Sequence, residues 1–322
     1  MVITGASSGI GLAIAEAFAR RGANVVLSAR ALPGLEEAAE RVNRSGGTAL
    51  VVQADVSDAA QMRALAGAAV ARFGTLDVWI NNAGLSLWGR FEDIPIEDHR
   101  QLIEVNLAGV INGSYAAIPK LRDNARGGVI INVASFAGLL PMPLSATYTA
   151  TKFGVSGFSD ALRQELRTHS RVKVCSVYPT FVDTPTNGNS ANYTGRALHP
   201  VPPVVDPERV AHAVVRLARK PRRRTLLGAQ HSLLLPYSLA PELSGRALAA
   251  FGERYFRGWG VKAPATSGVL HRPQSNPAAV RAGWGRPEAA ALRRAGGTTA
   301  LAGMAVAAGL WWWRHRGNGA PT

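Results

Sequence analysis

The sequence predicts an α/β protein built on a doubly wound, Rossmann-type parallel sheet of about seven strands. Two observations predict it. Short apolar runs alternate with helix-length amphipathic segments over the first two-thirds of the 322 residues. A glycine-rich turn stands directly behind the first apolar run, where such folds place their ligand loop. A hydrophobic content of 47% with 18% charged residues supports a buried core and excludes a disordered chain.

Taken in order, Met1 to Thr4 reads as a strand and is followed by Gly5-Ala-Ser-Ser-Gly9-Ile-Gly11. Ile10, Ile14 and Phe18 then recur at helical spacing up to Arg20-Arg21-Gly22, a basic last turn with a glycine stop. Strands follow at Asn24 to Ala29, Thr48 to Gln53 and Leu76 to Ile80, with helices at Leu35 to Arg44 and Asp58 to Phe73 between them. Val172 to Val177 and Arg224 to Gly228 read as later strands. The helix between them is capped by Asp206, with Pro207 at its first position and Arg219 near its end. Strands alternating with helices of this length indicate right-handed βαβ units.

The glycine turn lies between a strand and a helix N-terminus. Gly5 permits the tight turn, Gly9 lets backbone N–H groups approach a pyrophosphate, and Gly11 lets helix and strand pack closely. The second strand ends in Ser28-Ala29-Arg30, without the carboxylate that would take ribose hydroxyls. Arg30, helped by Ser7, is suited to a 2′-phosphate instead, so NADP(H) is the preferred cofactor while NAD(H) is also admitted.

Tyr148 and Lys152 stand at i and i+4 and share one helix face. An ammonium beside a phenol favours the phenolate, so Lys152 is expected to lower the Tyr148 pKa and make it an acid–base group near neutral pH. Ser135 could hold the same substrate oxygen. Alone, the pair fits an ordinary surface helix equally well.

Five patterns occur together and in order: Thr4-Gly5-x3-Gly9-x-Gly11, Asp55-Val56, Asn81-Asn82-Ala83-Gly84, Asn106, and Ser135 with Tyr148 and Lys152. On these the chain resembles the short-chain dehydrogenase/reductase family over residues 1 to about 184, or about 228 with the last strand. The resemblance implies an NAD(P)-dependent oxidoreductase acting on CH–OH groups. Asp55 would bond the adenine amino group, Val56 would offer its backbone, and Asn81 would brace the sheet and contact cofactor ribose. Ser7, Ile10, Ala83 and Gly84 would join the cofactor site, and Val182 and Thr184 would meet the carboxamide of nicotinamide. Asn106 would bend its helix and link a water to Lys152. Ser135, Tyr148 and Lys152 would carry the proton chemistry, with Lys152 also on nicotinamide ribose. Pro179-Thr180 departs from the family's Pro-Gly. The strand at the first residue suggests an upstream start, which an intact mass would decide.

The catalytic domain is expected over residues 1–228, with a polar, then proline-rich substrate lid at 185–205. Leu139 to Pro143 would add an apolar wall, so a small apolar alcohol or carbonyl compound is the expected substrate. An amphipathic helical extension is predicted over 229–260 and a Pro/Gly/Ala-rich basic linker over 261–294. Residues 295–313 carry no charge and end in three tryptophans before Arg314, a candidate transmembrane or docking helix.

Charge is uneven along the chain. Residues 1–184 hold 17 Lys/Arg against 16 Asp/Glu, and residues 185–322 hold 19 against 5. The basic tail suggests membrane lipid as a partner, without the recognition motif that nucleic-acid binding would need. A second subunit is an alternative seat for the last helix. With one cysteine, Cys175, and no recognisable signal peptide, a cytoplasmic catalytic domain tethered to a membrane is expected. The competing reading from another class is a nucleotide-binding regulator or scaffold that uses its tail to hold partners.

Overall fold

The computed structural model describes residues 1–168, 170–258, 260–273 and 278–284. The candidate transmembrane segment 295–313 lies outside them, and no helix among the described residues is long and apolar enough to cross a membrane.

β1 (Val2–Thr4) is fully buried and leads through the glycine turn into α1 (Gly9–Ala19). β2 (Asn24–Ala29), α2 (Leu32–Arg44), β3 (Thr48–Gln53), α3 (Ala59–Phe73) and β4 (Val78–Asn81) complete the first half. Asp58 caps α3 by accepting from the Ala60 and Gln61 amides, and Gly74 closes it in the left-handed region at φ 77°. After a short strand, β5 (Leu87–Trp88), come α4 (Ile96–Ile103) and α5 (Gly109–Asp123), joined by one π-helical turn over residues 104–108. β6 (Val129–Val133), α6 (Ala146–Arg167) and β7 (Lys173–Pro179) follow. The polar segment expected as a lid carries the four-residue helix α7 (Thr186–Asn189) and β8 (Ala191–Asn192), which pairs with β5. α8 (Pro207–Arg219) and β9 (Arg224–Leu227) close the sheet.

All seven main strands are parallel in the order β3-β2-β1-β4-β6-β7-β9. The order reverses between β1 and β4, and a crevice opens there at the carboxyl ends of the strands. Helices cover both faces, which is why β1, β4 and β6 are buried at every residue rather than at alternate ones. One core packs α1, α2 and α8 on the sheet, and the other packs α3, α5 and α6 on the opposite face. Asp206 caps α8 as its position predicts, accepting from the Glu208 amide at 2.8 Å. Cys175 is a buried small hydrophobe.

Beyond β9 the chain forms α9 (Leu234–Leu239) and α10 (Pro241–Gly252) with a further π-helical turn over residues 253–257. In the segment expected as a linker, 261–294, the described residues 261–273 and 278–284 include buried, hydrogen-bonded ones. Leu270, Ala278 and Val280 are buried, and Ala278 N–H donates to Glu37 at 2.8 Å. Part of the tail's positive charge is paired inside the molecule: Arg281 with Asp206 and Glu208, and Arg223 and Arg224 with Asp160.

Candidate active site

A cleft of about 310 Å³ occupies the crevice beyond β1 and β4. Its floor begins with the glycine turn. Gly5 adopts φ 65°, and a Cβ there would stand 2.8 Å from the Ala83 Cα. Gly11 is forced by proximity, because a Cβ would lie 2.1 Å from the Gly5 carbonyl oxygen. Thr4 and Asn82 hold the turn: Asn82 Nδ2 donates to the Thr4 and Gly5 carbonyls at 3.0 Å, and Thr4 Oγ1 accepts from the Asn82 and Ala83 amides at 3.1 Å. The N-cap Ser8 leaves α1 without a side-chain cap. Its positive end faces the cleft through Ser7, Ser8 and Ile10, which suits a pyrophosphate.

Asp55, Val56, Ala83, Gly84, Val182 and Thr184 also line the cleft, as the resemblance implied. Asn81 does not. It is 3% exposed, and its Nδ2 donates to Ser114 Oγ at 3.0 Å and Asn132 Oδ1 at 2.8 Å while Trp79 donates to its Oδ1. Its role is bracing the sheet, and the next residue, Asn82, faces the cleft because side chains alternate along a strand. Gly9 and Gly11 stand behind the lining, and the Gly9 N–H is taken by the Ala279 carbonyl at 2.8 Å. Arg30 lines the cleft, but its Nη1 and Nη2 donate to the Leu270 and Val269 carbonyls at 3.0 and 2.5 Å.

Ser135, Tyr148 and Lys152 meet at the other end. Ser135 leaves β6 as the cap of a short 3₁₀ turn, its Oγ accepting from the Ala137 amide at 3.1 Å. Burial raises the Tyr148 pKa, opposed by hydrogen bonds from the hydroxyls of Ser135 and Ser86. Lys152, 5% exposed with Nζ 3.4 Å from the Val133 carbonyl, is pushed down to about 8 by burial. Burial therefore acts on the Tyr148 hydroxyl against the lowering expected of it, and the opposing pull comes from the Ser135 and Ser86 hydroxyls. Ser86 was not anticipated; nothing in the sequence marks it beyond its place after the asparagine motif.

Asn106 sits in the π-helical turn, fully buried, its Oδ1 accepting from the Leu85 amide at 2.8 Å and its Nδ2 donating to the Leu85 carbonyl at 2.9 Å. A Cβ at Gly84 would stand 3.3 Å from Lys152 Nζ and 3.4 Å from Asn106 Oδ1, so this glycine keeps the space between the two groups open. Thr180, at the family's usual glycine, is accommodated by another glycine. A Cβ on Gly228 would fall 1.9 Å from Thr180 Oγ1, a buried hydroxyl in the cleft wall with no hydrogen-bond partner.

A parallel sheet with a glycine-turn cleft at its switch point, and a phenol and an ammonium at the far end of that cleft, define a dinucleotide-dependent oxidoreductase. The short chain dehydrogenase family profile matches residues 1–194. An uncharacterised oxidoreductase of Bacillus subtilis is 33% identical over 251 residues, covering 77% of this chain and 70% of its own. A 3beta-hydroxysteroid dehydrogenase of Eggerthella lenta is 37% identical over 224 residues, 68% of this chain and 85% of its own. Among solved structures, a short chain dehydrogenase/reductase from Burkholderia phymatum in complex with NAD matches at TM-score 0.68 and 27% identity, covering 75% and 93% of the two chains. A metagenomic short-chain oxidoreductase in complex with NADP matches at TM-score 0.59 and 31% identity, covering 70% and 95%. The chain belongs to the short-chain dehydrogenase/reductase family and is an oxidoreductase acting on hydroxyl groups.

Proposed function

We propose that the protein interconverts an apolar alcohol and its ketone or aldehyde with NADP(H), with Tyr148 as acid and base. The observation that carries this reading is the convergence of Ser135, Tyr148 and Lys152 on one cleft whose other end is the glycine turn. The bound nicotinamide would supply or accept the hydride. Ser135 Oγ accepts from a backbone amide and lies beside the Tyr148 hydroxyl, so a substrate oxygen between them could take the serine proton in place of the phenol. The Tyr148 hydroxyl, beside Ser135 and Ser86, holds the proton that oxygen gains on reduction or gives up on oxidation. Lys152 supports the phenolate with positive charge, and its emergence beside Gly84 and Asn106 suits proton exchange with solvent.

Trp88, Phe136, Met142 and Phe181 line the substrate side. The Trp88 ring lies 4.6 Å from that of Phe256, so the helical extension backs this wall. Such a wall excludes water and suits a bulky apolar alcohol, and the steroid dehydrogenase relative agrees with it. The absent carboxylate after β2 and the cleft-facing Arg30 favour the 2′-phosphate of NADP(H).

Tyr148→Phe should bind NADPH as the parent does, while turnover on a panel of cyclic and steroidal alcohols falls about 100-fold or more. Retained turnover would remove Tyr148 from the proton chemistry.

A further inference from the structure

The tail contributes Val269 and Pro273 to the cleft wall and fastens to both of its banks. Thr266 pairs antiparallel with Asn192, with N···O distances of 2.7 and 3.0 Å. Leu270 is 1% exposed and packs in the cluster of Leu87, Ile94, Leu102 and Ala191, against Tyr148 and Tyr193. His271 Nε2 lies 2.7 Å from Asp98 Oδ1, and Tyr193 donates to Asp98 Oδ2 at 2.7 Å, so a carboxylate only 4% exposed anchors this end. On the opposite bank the Val269 and Leu270 carbonyls take the two terminal nitrogens of Arg30. Three consecutive residues thus tie the end of β2 to α4.

Two successive carbonyls gripping one guanidinium fix its plane. Each terminal nitrogen keeps a second N–H, and Nε keeps its own, so the fork still has donors for an anion. A long side chain normally loses rotamer freedom when it grasps a ligand, and here that freedom is removed beforehand. We propose that residues 269–271 form a positioning strap for Arg30, holding its guanidinium in the cleft wall and thereby setting how strongly the protein prefers a cofactor bearing a 2′-phosphate. The strap rests on the reading of Arg30 as the phosphate-binding group.

The test is equilibrium titration of NADPH and NADH into the full chain and into three variants: Arg30→Ala, Leu270→Ala with His271→Ala, and all three substitutions together. His271→Ala alone, at a half-exposed side chain, serves if the double variant does not fold. Loosening the strap should weaken NADPH binding about tenfold with NADH little changed. In the Arg30→Ala background the same substitutions should leave the NADPH-to-NADH ratio where it was. An unchanged ratio in the strap variants, a ratio that moves towards NADPH, or a shift that persists without Arg30 would each overturn the strap. If Arg30→Ala keeps the parent's preference, the phosphate reading fails and the strap with it. If Arg30→Ala loses the preference and the strap variants keep it, the strap alone is refuted.

Discussion

Lys152 is held almost fully buried in the cleft wall, at a cost that a single substitution can expose. Burial takes its pKa from 10.5 to about 8, so below that pH the folded protein carries an ammonium it has largely desolvated. Each pKa unit corresponds to about 1.4 kcal/mol, which places the cost at about 3 kcal/mol at pH 7. Between pH 8 and 10.5 the unfolded chain binds more protons at this site than the folded one, so the parent's stability contribution rises with pH and the cost is gone above the upper value. Lys152→Met keeps the length of the side chain and removes the charge, at the loss of one long contact to the Val133 carbonyl. The variant should therefore be more stable than the parent by about 3 kcal/mol at pH 7, and the gain should fade as pH approaches 10.5. It should also lose turnover. Urea denaturation of both proteins at pH 7 and pH 10 measures the difference. A variant less stable at pH 7, or a gain that does not depend on pH, would refute desolvation as the force acting on this lysine.

Two further substitutions probe the frame around the site. Asn106→Ala leaves the Leu85 amide and carbonyl without their partners and should cost roughly 2–5 kcal/mol in thermal or urea denaturation, together with a loss of turnover. Gly228→Ala drives a methyl group into Thr180 at a φ of 120° and should cost about 2–3 kcal/mol. Thr180→Gly in the same chain should restore the part of that loss due to the clash, which a purely backbone effect at Gly228 would not allow.

The regular elements were legible because periodicity and punctuation agree. β2 and β3 fall where the apolar runs place them, and the helix begun by Asp206 and Pro207 ends at Arg219 as its pattern predicts. The convergence of Ser135, Tyr148 and Lys152 on one cleft was legible through ordered motifs rather than through any one residue. What failed was local direction and environment. Asn81 and Asn82 are adjacent and chemically identical, yet one braces the sheet and the other holds the glycine turn, a difference set by the pleat. The titration of Tyr148 depends on how dry its surroundings are, and no spacing reports that. The tail's anchors within 261–284 were not legible because proline and glycine give no period. Its hold comes from backbone carbonyls and from isolated anchors such as Leu270 and Ala278. Backbone acceptors leave no mark in a sequence.

That tail also gives the cleft an order of assembly. Arg30 and the carbonyl of Leu270 are 240 residues apart, and Asp98 waits 173 residues for His271. At translation rates of about 5–20 residues per second, the glycine turn and β2 are made roughly 10–50 s before the residues that will hold Arg30. A nascent sheet can thus be folded while its nucleotide crevice still stands open to solvent. A nucleotide bound during synthesis would meet residues 269–271 only after the glycine turn, so this part of the tail would act on its release rather than on its first capture.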